Sequence, residues 1–245
     1  MFVSCVPRNS AEFSLALNLE QSVFGHLSVP PEMAHVFFRS RPEIYQAIVA
    51  EDGAAAAFSS AFPLKPRWAR ALIAGDISEP ELEPHMLLGR NESLDGATLY
   101  IGSVVVADRF DPVTRLMLLA SVFTWRAEQI KAGSARRLSV IMTPVTREGE
   151  RMARHGGVKL LNDGANRKDG YPVCGREVSH AFLIRAAAAI ARVINGPVVE
   201  MLYNFPRTAG RPPRRKVAHA SIGAHRAQKD VTAARKLGKA VAVST

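Results

Sequence analysis

The run Thr98–Val106, TLYIGSVVV, constrains this chain more than any other stretch. It is apolar, rich in β-branched residues and nine residues long, which predicts a buried strand. It breaks off into the charged loop Ala107–Asp111 and then into a segment in which Leu116, Leu119, Phe123, Ala127 and Ile130 recur at helical spacing as far as Lys131. Asp111 can cap that helix and Pro112 can open it, since the first helical residue has no need of an N–H. A strand, a polar loop and a helix N-terminus together form a potential anion cradle. The leading amides of a helix lack internal partners and carry the positive end of its dipole. Arg109 and Arg115 flank that N-terminus and add charge of the right sign.

Around this unit the pattern alternates. Phe2–Val6 reads as a short strand, Ser10–Phe24 as a helix with Ser10 as its cap, and the residues after Pro30-Pro31 as a second helix to Phe38. Ile44–Ala50 and Ala54–Phe62 form a hairpin about Asp52-Gly53. Pro63–Asn91 reads as an irregular insertion with a helix near Trp68–Ile73. Downstream come a strand at Arg137–Met142, a short helix Val145–His155 closed by Gly156-Gly157, a polar loop, a strand at Val178–Ile184 and a helix at Ala186–Ile194.

Charge divides the chain. Residues 207–245 hold ten Lys or Arg and one acid, nearly all of the net charge of +10. The expected organisation is a domain over residues 1–206 followed by a basic, flexible extension over 207–245. Within the extension, RTAGRPPRRK carries a Gly-Arg-Pro core resembling an AT-hook, so Arg211, Arg214, Arg215 and Lys216 are candidates for nucleic-acid contact. The bland alternative is a solvated linker. Two cysteines far apart give neither a disulfide framework nor a metal spacing, and no apolar run spans a bilayer. A cytoplasmic protein without metal or membrane partner is the expectation.

The order of elements resembles the GNAT superfamily of acyl-CoA-dependent N-acetyltransferases over roughly Phe2–Arg185. LYIGSVVVADRFDPVTRLMLL resembles that family's cofactor segment, and TPVTREGERMARHGGVKLL its short helix, closing glycine and next strand. The resemblance implies an α/β fold with a mixed, mostly antiparallel central sheet flanked by helices, and acetyl-CoA or another acyl-CoA as co-substrate with an amine as acceptor. It also implies that Val104, Val105 and Val106 pair through main chain with the pantetheine arm, and that the loop at Arg109, Val113, Thr114, Arg115 and Leu116 holds the pyrophosphate. A backbone N–H of Val105 or Val106 would stabilise the oxyanion.

Two departures stand out. Asp111, Pro112, Val113 and Thr114 occupy the loop positions where the family usually has glycines, and Ala153 stands where many members carry an acidic tyrosine. No catalytic acid therefore transfers. Candidate bases are Glu51, Tyr100, Ser103, Glu177 and His180, none singled out by spacing. The competing expectation is a GNAT-like binding module that has lost catalysis and whose basic tail contacts nucleic acid.

Overall fold

The computed structural model describes residues 2–132, 137–179, 181, 182, 185, 188 and 241–244. The central sheet runs in the order β1 (Phe2–Cys5), β2 (Tyr45–Ala50), β3 (Ala55–Leu64), β4 (Thr98–Val106), β5 (Leu138–Met142), β7 (Val173–Val178) and β6 (Lys159–Asn162). Only β4 and β5 pair in parallel; every other pair is antiparallel. This is the mixed, mostly antiparallel sheet that the sequence predicts. An eighth strand, β8 (Val241–Ser244), lies off this path and pairs with β4.

Two helices cover one face. In α1 (Ser10–Phe24) the residues Phe13, Ala16, Leu17 and Phe24 are buried, a helical stripe that packs against the hairpin. Phe13 stacks on Phe38 of α2 (Pro31–Ser40) at 4.4 Å between ring centroids and lies 4.7 Å from Tyr45. The helix begins one residue earlier than its sequence suggests. Asn9 is the cap, its side chain accepting from Glu12 N–H at 2.9 Å, and Ser10 is the first helical residue. The opposite face carries α4 (Pro112–Ala132), whose Leu118, Leu119 and Val122 pack on Val104, Val106, Ala56 and Ala57. Successive residues of a strand point to opposite faces, so Val105 joins Phe24 on the α1 side.

Two sequence readings need correction. Residues 63–91 carry the helix expected near Trp68–Ile73 but are otherwise not an irregular insertion. They form α3 (Pro66–Ala74) and two short 3₁₀ turns that bury Leu72, Leu82, Met86 and Leu87 in the main core. The last strand of the unit spans Val173–Val178, not Val178–Ile184. Its inward position Gly175 lacks the side chain that would have announced it. A Cβ there would sit 2.7 Å from Leu161 Cδ1 and 3.0 Å from Ile141 Cγ2, so the strand is small where β6 and β5 press on it. The helix expected at Ala186–Ile194, the boundary at residue 206 and the basic stretch with Arg211, Arg214, Arg215 and Lys216 lie outside the described residues.

Candidate functional site

The site is built on a fork in the sheet. Strand β4 pairs with β5 only from Thr98↔Ser139 to Ile101↔Met142. On its other edge the register against β3 slips by one residue, from Ser60↔Ser103 to Ala61↔Ile101, which leaves Gly102 as an extra residue on β4. Such a bulge bends its strand and ends pairing. Beyond it, Ser103–Val106 continue without β5, and their free edge takes β8 in the register Ser103↔Ser244 to Val106↔Val241. Glycine is required at the bulge. A Cβ on Gly102 would fall 2.6 Å from Ser60 Oγ and 2.7 Å from Phe62 Cε2. Val104, Val105 and Val106 lie on β4 past the bulge, and it is the bulge that frees their edge from β5 so that β8 pairs there instead.

The mouth of α4 lies where β4 ends. Its leading amides already have a partner: Asp111 Oδ1 accepts from Val113 N–H at 3.0 Å and from Thr114 N–H at 3.1 Å, and Asp111 Oδ2 accepts from the Thr114 hydroxyl. These bonds hold the Asp111 carboxyl below the usual aspartate range. Arg109 is drawn across to Asp52 in the β2–β3 turn, and Arg115 pairs with Asp108 at 3.1 Å. Arg109, Val113, Thr114 and Arg115 thus stand around the start of α4, each engaged with a carboxylate of the protein itself. Leu116 is half-buried one turn further on.

A polar cluster lies behind β4 on the α1 face. Ser60 and Ser103 hydroxyls are 2.9 Å apart, and the buried Glu20 carboxyl lies close enough for both to lower its pKa. Glu20 is 2% exposed; burial pushes its pKa up to about 7, against the lowering effect of the two serines. On the other side of Gly102, Tyr100 donates to Glu79 Oε2 at 2.9 Å, and burial with the Glu79 carboxylate drives the Tyr100 hydroxyl well above its ordinary range. Glu79 arrives from the segment read as an insertion. Two sequence candidates, Tyr100 and Ser103, thus meet one cluster. Glu51 lies exposed in the β2–β3 turn, Glu177 is exposed on β7, and His180 is outside the described residues.

Glu20 and Glu79 were missed by reading the sequence. A signal for Glu20 exists: it sits on the buried stripe of α1, seven residues after Phe13 and three after Leu17, where an acid has no business unless it meets a partner. Glu79 carries no such periodicity. Among the described residues no group of three or more His, Cys, Asp or Glu is placed to hold a metal, and no helix is long and apolar enough to cross a membrane.

The fork opens on its α4 side into a cavity of about 130 Å³. Ile101 and Met142, the last paired residues of β4 and β5, line it together with Val104, with Val122 and Phe123 of α4 and with Val140 of β5. Arg126, buried in the lining, has its pKa lowered to about 9 by desolvation. Its guanidinium donates to the carbonyls of Ile44 at 2.7 Å and Ser59 at 3.2 Å.

No protein-family model and no curated protein matches the chain. Solved structures do. FeeM, an N-acyl amino acid synthase from uncultured soil microbes, superposes with a TM-score of 0.50 at 10% identity, covering 78% of this chain and 96% of that one. Ard1 from Thermoplasma volcanium gives a TM-score of 0.47 at 9% identity, over 73% and 97% of the two chains. A chain of the NatC complex bound to Gag peptide and CoA gives 0.45 at 13% identity, over 73% and 98%.

Proposed function

Because this chain has the GNAT fold, we propose that it transfers an acyl group from an acyl-CoA thioester to an amine. The observation that carries this reading is the fork at Gly102. It leaves four residues of main chain on β4 with an open edge beside an apolar cavity, as an extended pantetheine arm requires. β8 stands along that edge, so the arm and β8 compete for the same N–H and C=O groups of Ser103–Val106.

In the proposed reaction the amine nitrogen attacks the thioester carbon at the fork, and a main-chain N–H of β4 at the bulge, rather than one of Val105 or Val106 further along, stabilises the oxyanion. The amine proton passes to Ser103 and on to Glu20, whose pKa near 7 suits a proton acceptor at neutral pH. Collapse breaks the C–S bond and releases the CoA thiolate. Ala153, buried on α5 (Arg147–His155), offers no hydroxyl to protonate it. A thiol is far more acidic than an alcohol, a cysteine side chain having a pKa of about 8.5, so a thiolate can leave without one.

The diphosphate would take the amides of Val113 and Thr114 with Arg109 and Arg115 beside it. To do so it must displace the Asp111 carboxylate, which holds those amides and repels phosphate. Two effects follow for Asp111→Ala. Loss of the cap lowers stability by about 1 kcal/mol, while CoA binds roughly tenfold more tightly, on the order of the 1.4 kcal/mol that a relieved charge repulsion supplies. Differential scanning fluorimetry with and without acetyl-CoA tests the reading, since a ligand of the folded state raises the melting temperature. No shift at about 1 mM in either the wild type or Asp111→Ala removes it.

A second reading has its own support. The capped helix mouth and the strand already lying on β4 also suit a module that no longer binds a cofactor and whose basic tail contacts nucleic acid. Deleting residues 207–245 then abolishes salt-dependent binding to duplex DNA or RNA. Binding that survives the deletion takes Arg211, Arg214, Arg215 and Lys216 out of this reading.

A further inference from the structure

Resting on the donor reading above, we infer that the cavity beneath α4 is an acyl-chain site and that the preferred donor carries a medium-length aliphatic acyl group of about six to eight carbons rather than acetyl. The cavity begins at the fork. Among its lining, Ile101, Met142 and Val104 lie at the fork around Gly102, where the thioester carbon of an arm laid along Ser103–Val106 would come to rest. The aliphatic and aromatic side chains of Val122, Phe123 and Val140 also line it.

The polar side chains among its lining each have partners in the protein. Ser59 Oγ lies 3.1 Å from Gln46 Oε1 and 3.1 Å from Arg126, Ser60 is bonded to Ser103, and Arg176 donates to the carbonyl of Gly156 while its guanidinium sits 4.0 Å from the Phe182 ring. A water inside would find too few partners to stay. A dry apolar cavity of about 150 Å³ accepts benzene, six carbons. The space here, about 130 Å³, matches a chain of similar length. An acetyl methyl would leave it almost empty, and its walls would forfeit their contacts.

Isothermal titration compares acetyl-CoA, octanoyl-CoA and octanoyl-pantetheine on the full chain. Octanoyl-CoA binds on the order of 100-fold more tightly than acetyl-CoA, well within what six additional buried methylenes can supply. Filling the cavity by Val122→Phe brings that ratio near one, and Val140→Phe does the same from the sheet side should the first variant fail to fold. Equal affinity for the two CoA esters overturns the chain site while leaving the donor reading intact. Octanoyl-pantetheine binding in the absence of any CoA binding keeps the chain site and removes the diphosphate cradle. No binding by any of the three overturns both.

Discussion

Replacing Glu20 by glutamine lowers the acyl-transfer rate by about 10²- to 10⁴-fold, the usual worth of a positioned proton acceptor, and at the same time makes the protein more stable above neutral pH. The second half of that statement follows from linkage. The Glu20 carboxyl has its pKa raised from 4.5 to about 7 in the folded chain. Between those values the folded state holds a proton that the unfolded state has lost, so stability falls as pH rises from about 4.5 through about 7 and then levels off. The full difference is on the order of 3 kcal/mol. The amide of Glu20→Gln has no such proton. Urea unfolding should therefore find the two proteins alike at pH 4 and the variant ahead by about 2–3 kcal/mol at pH 8. The wild-type rate should climb to a plateau as Glu20 ionises near pH 7. A variant that gains stability but keeps full activity and the same pH profile would make Glu20 a structural acid and return the base to another residue.

Removing β8 should tighten acyl-CoA binding at least tenfold. A ligand that needs the edge of Ser103–Val106 sees only the fraction of molecules in which that edge is free, and its apparent affinity falls by that fraction. Truncation at residue 240 sets the fraction to one. Truncation leaves the ten basic residues of the extension in place, and a gentler variant leaves the chain whole: Ala242→Pro, opposite Val105, removes a main-chain donor and cannot sit inside a ladder. Both variants should bind octanoyl-CoA more tightly than the wild type does. Affinities unchanged in both would mean that the arm does not run along β4.

The unit that organises this fold was readable because it is local. The apolar run Thr98–Val106, the cap at Asp111 and the proline at 112 each act within a few residues, and β4 and α4 appear where that pattern puts them. The resemblance drawn from their order holds for the sheet. Less was readable where small residues did the packing. Gly175 hid the start of β7, and the segment 63–91 gave no period because its buried residues Leu72, Leu82, Met86 and Leu87 fill gaps in a core assembled from elsewhere. For the cradle, the sequence named Arg109 and Arg115 as cations flanking the helix mouth. Asp52, 57 residues away, and Asp108 pair with them instead, and only one of those partners is close in the chain.

From its amino acids alone, then, this chain determined which segment would be the central strand, where its helix would start and what would cap it, because backbone preference and capping are settled by near neighbours. Tertiary structure alone decided that β4 would part from β5 at Gly102, that Glu20 would be buried beside Ser60 and Ser103, and that β8 would lie on the exposed edge. Those depend on contacts between residues tens to more than a hundred positions apart, whose energies arise only once the sheet has brought the two sides together.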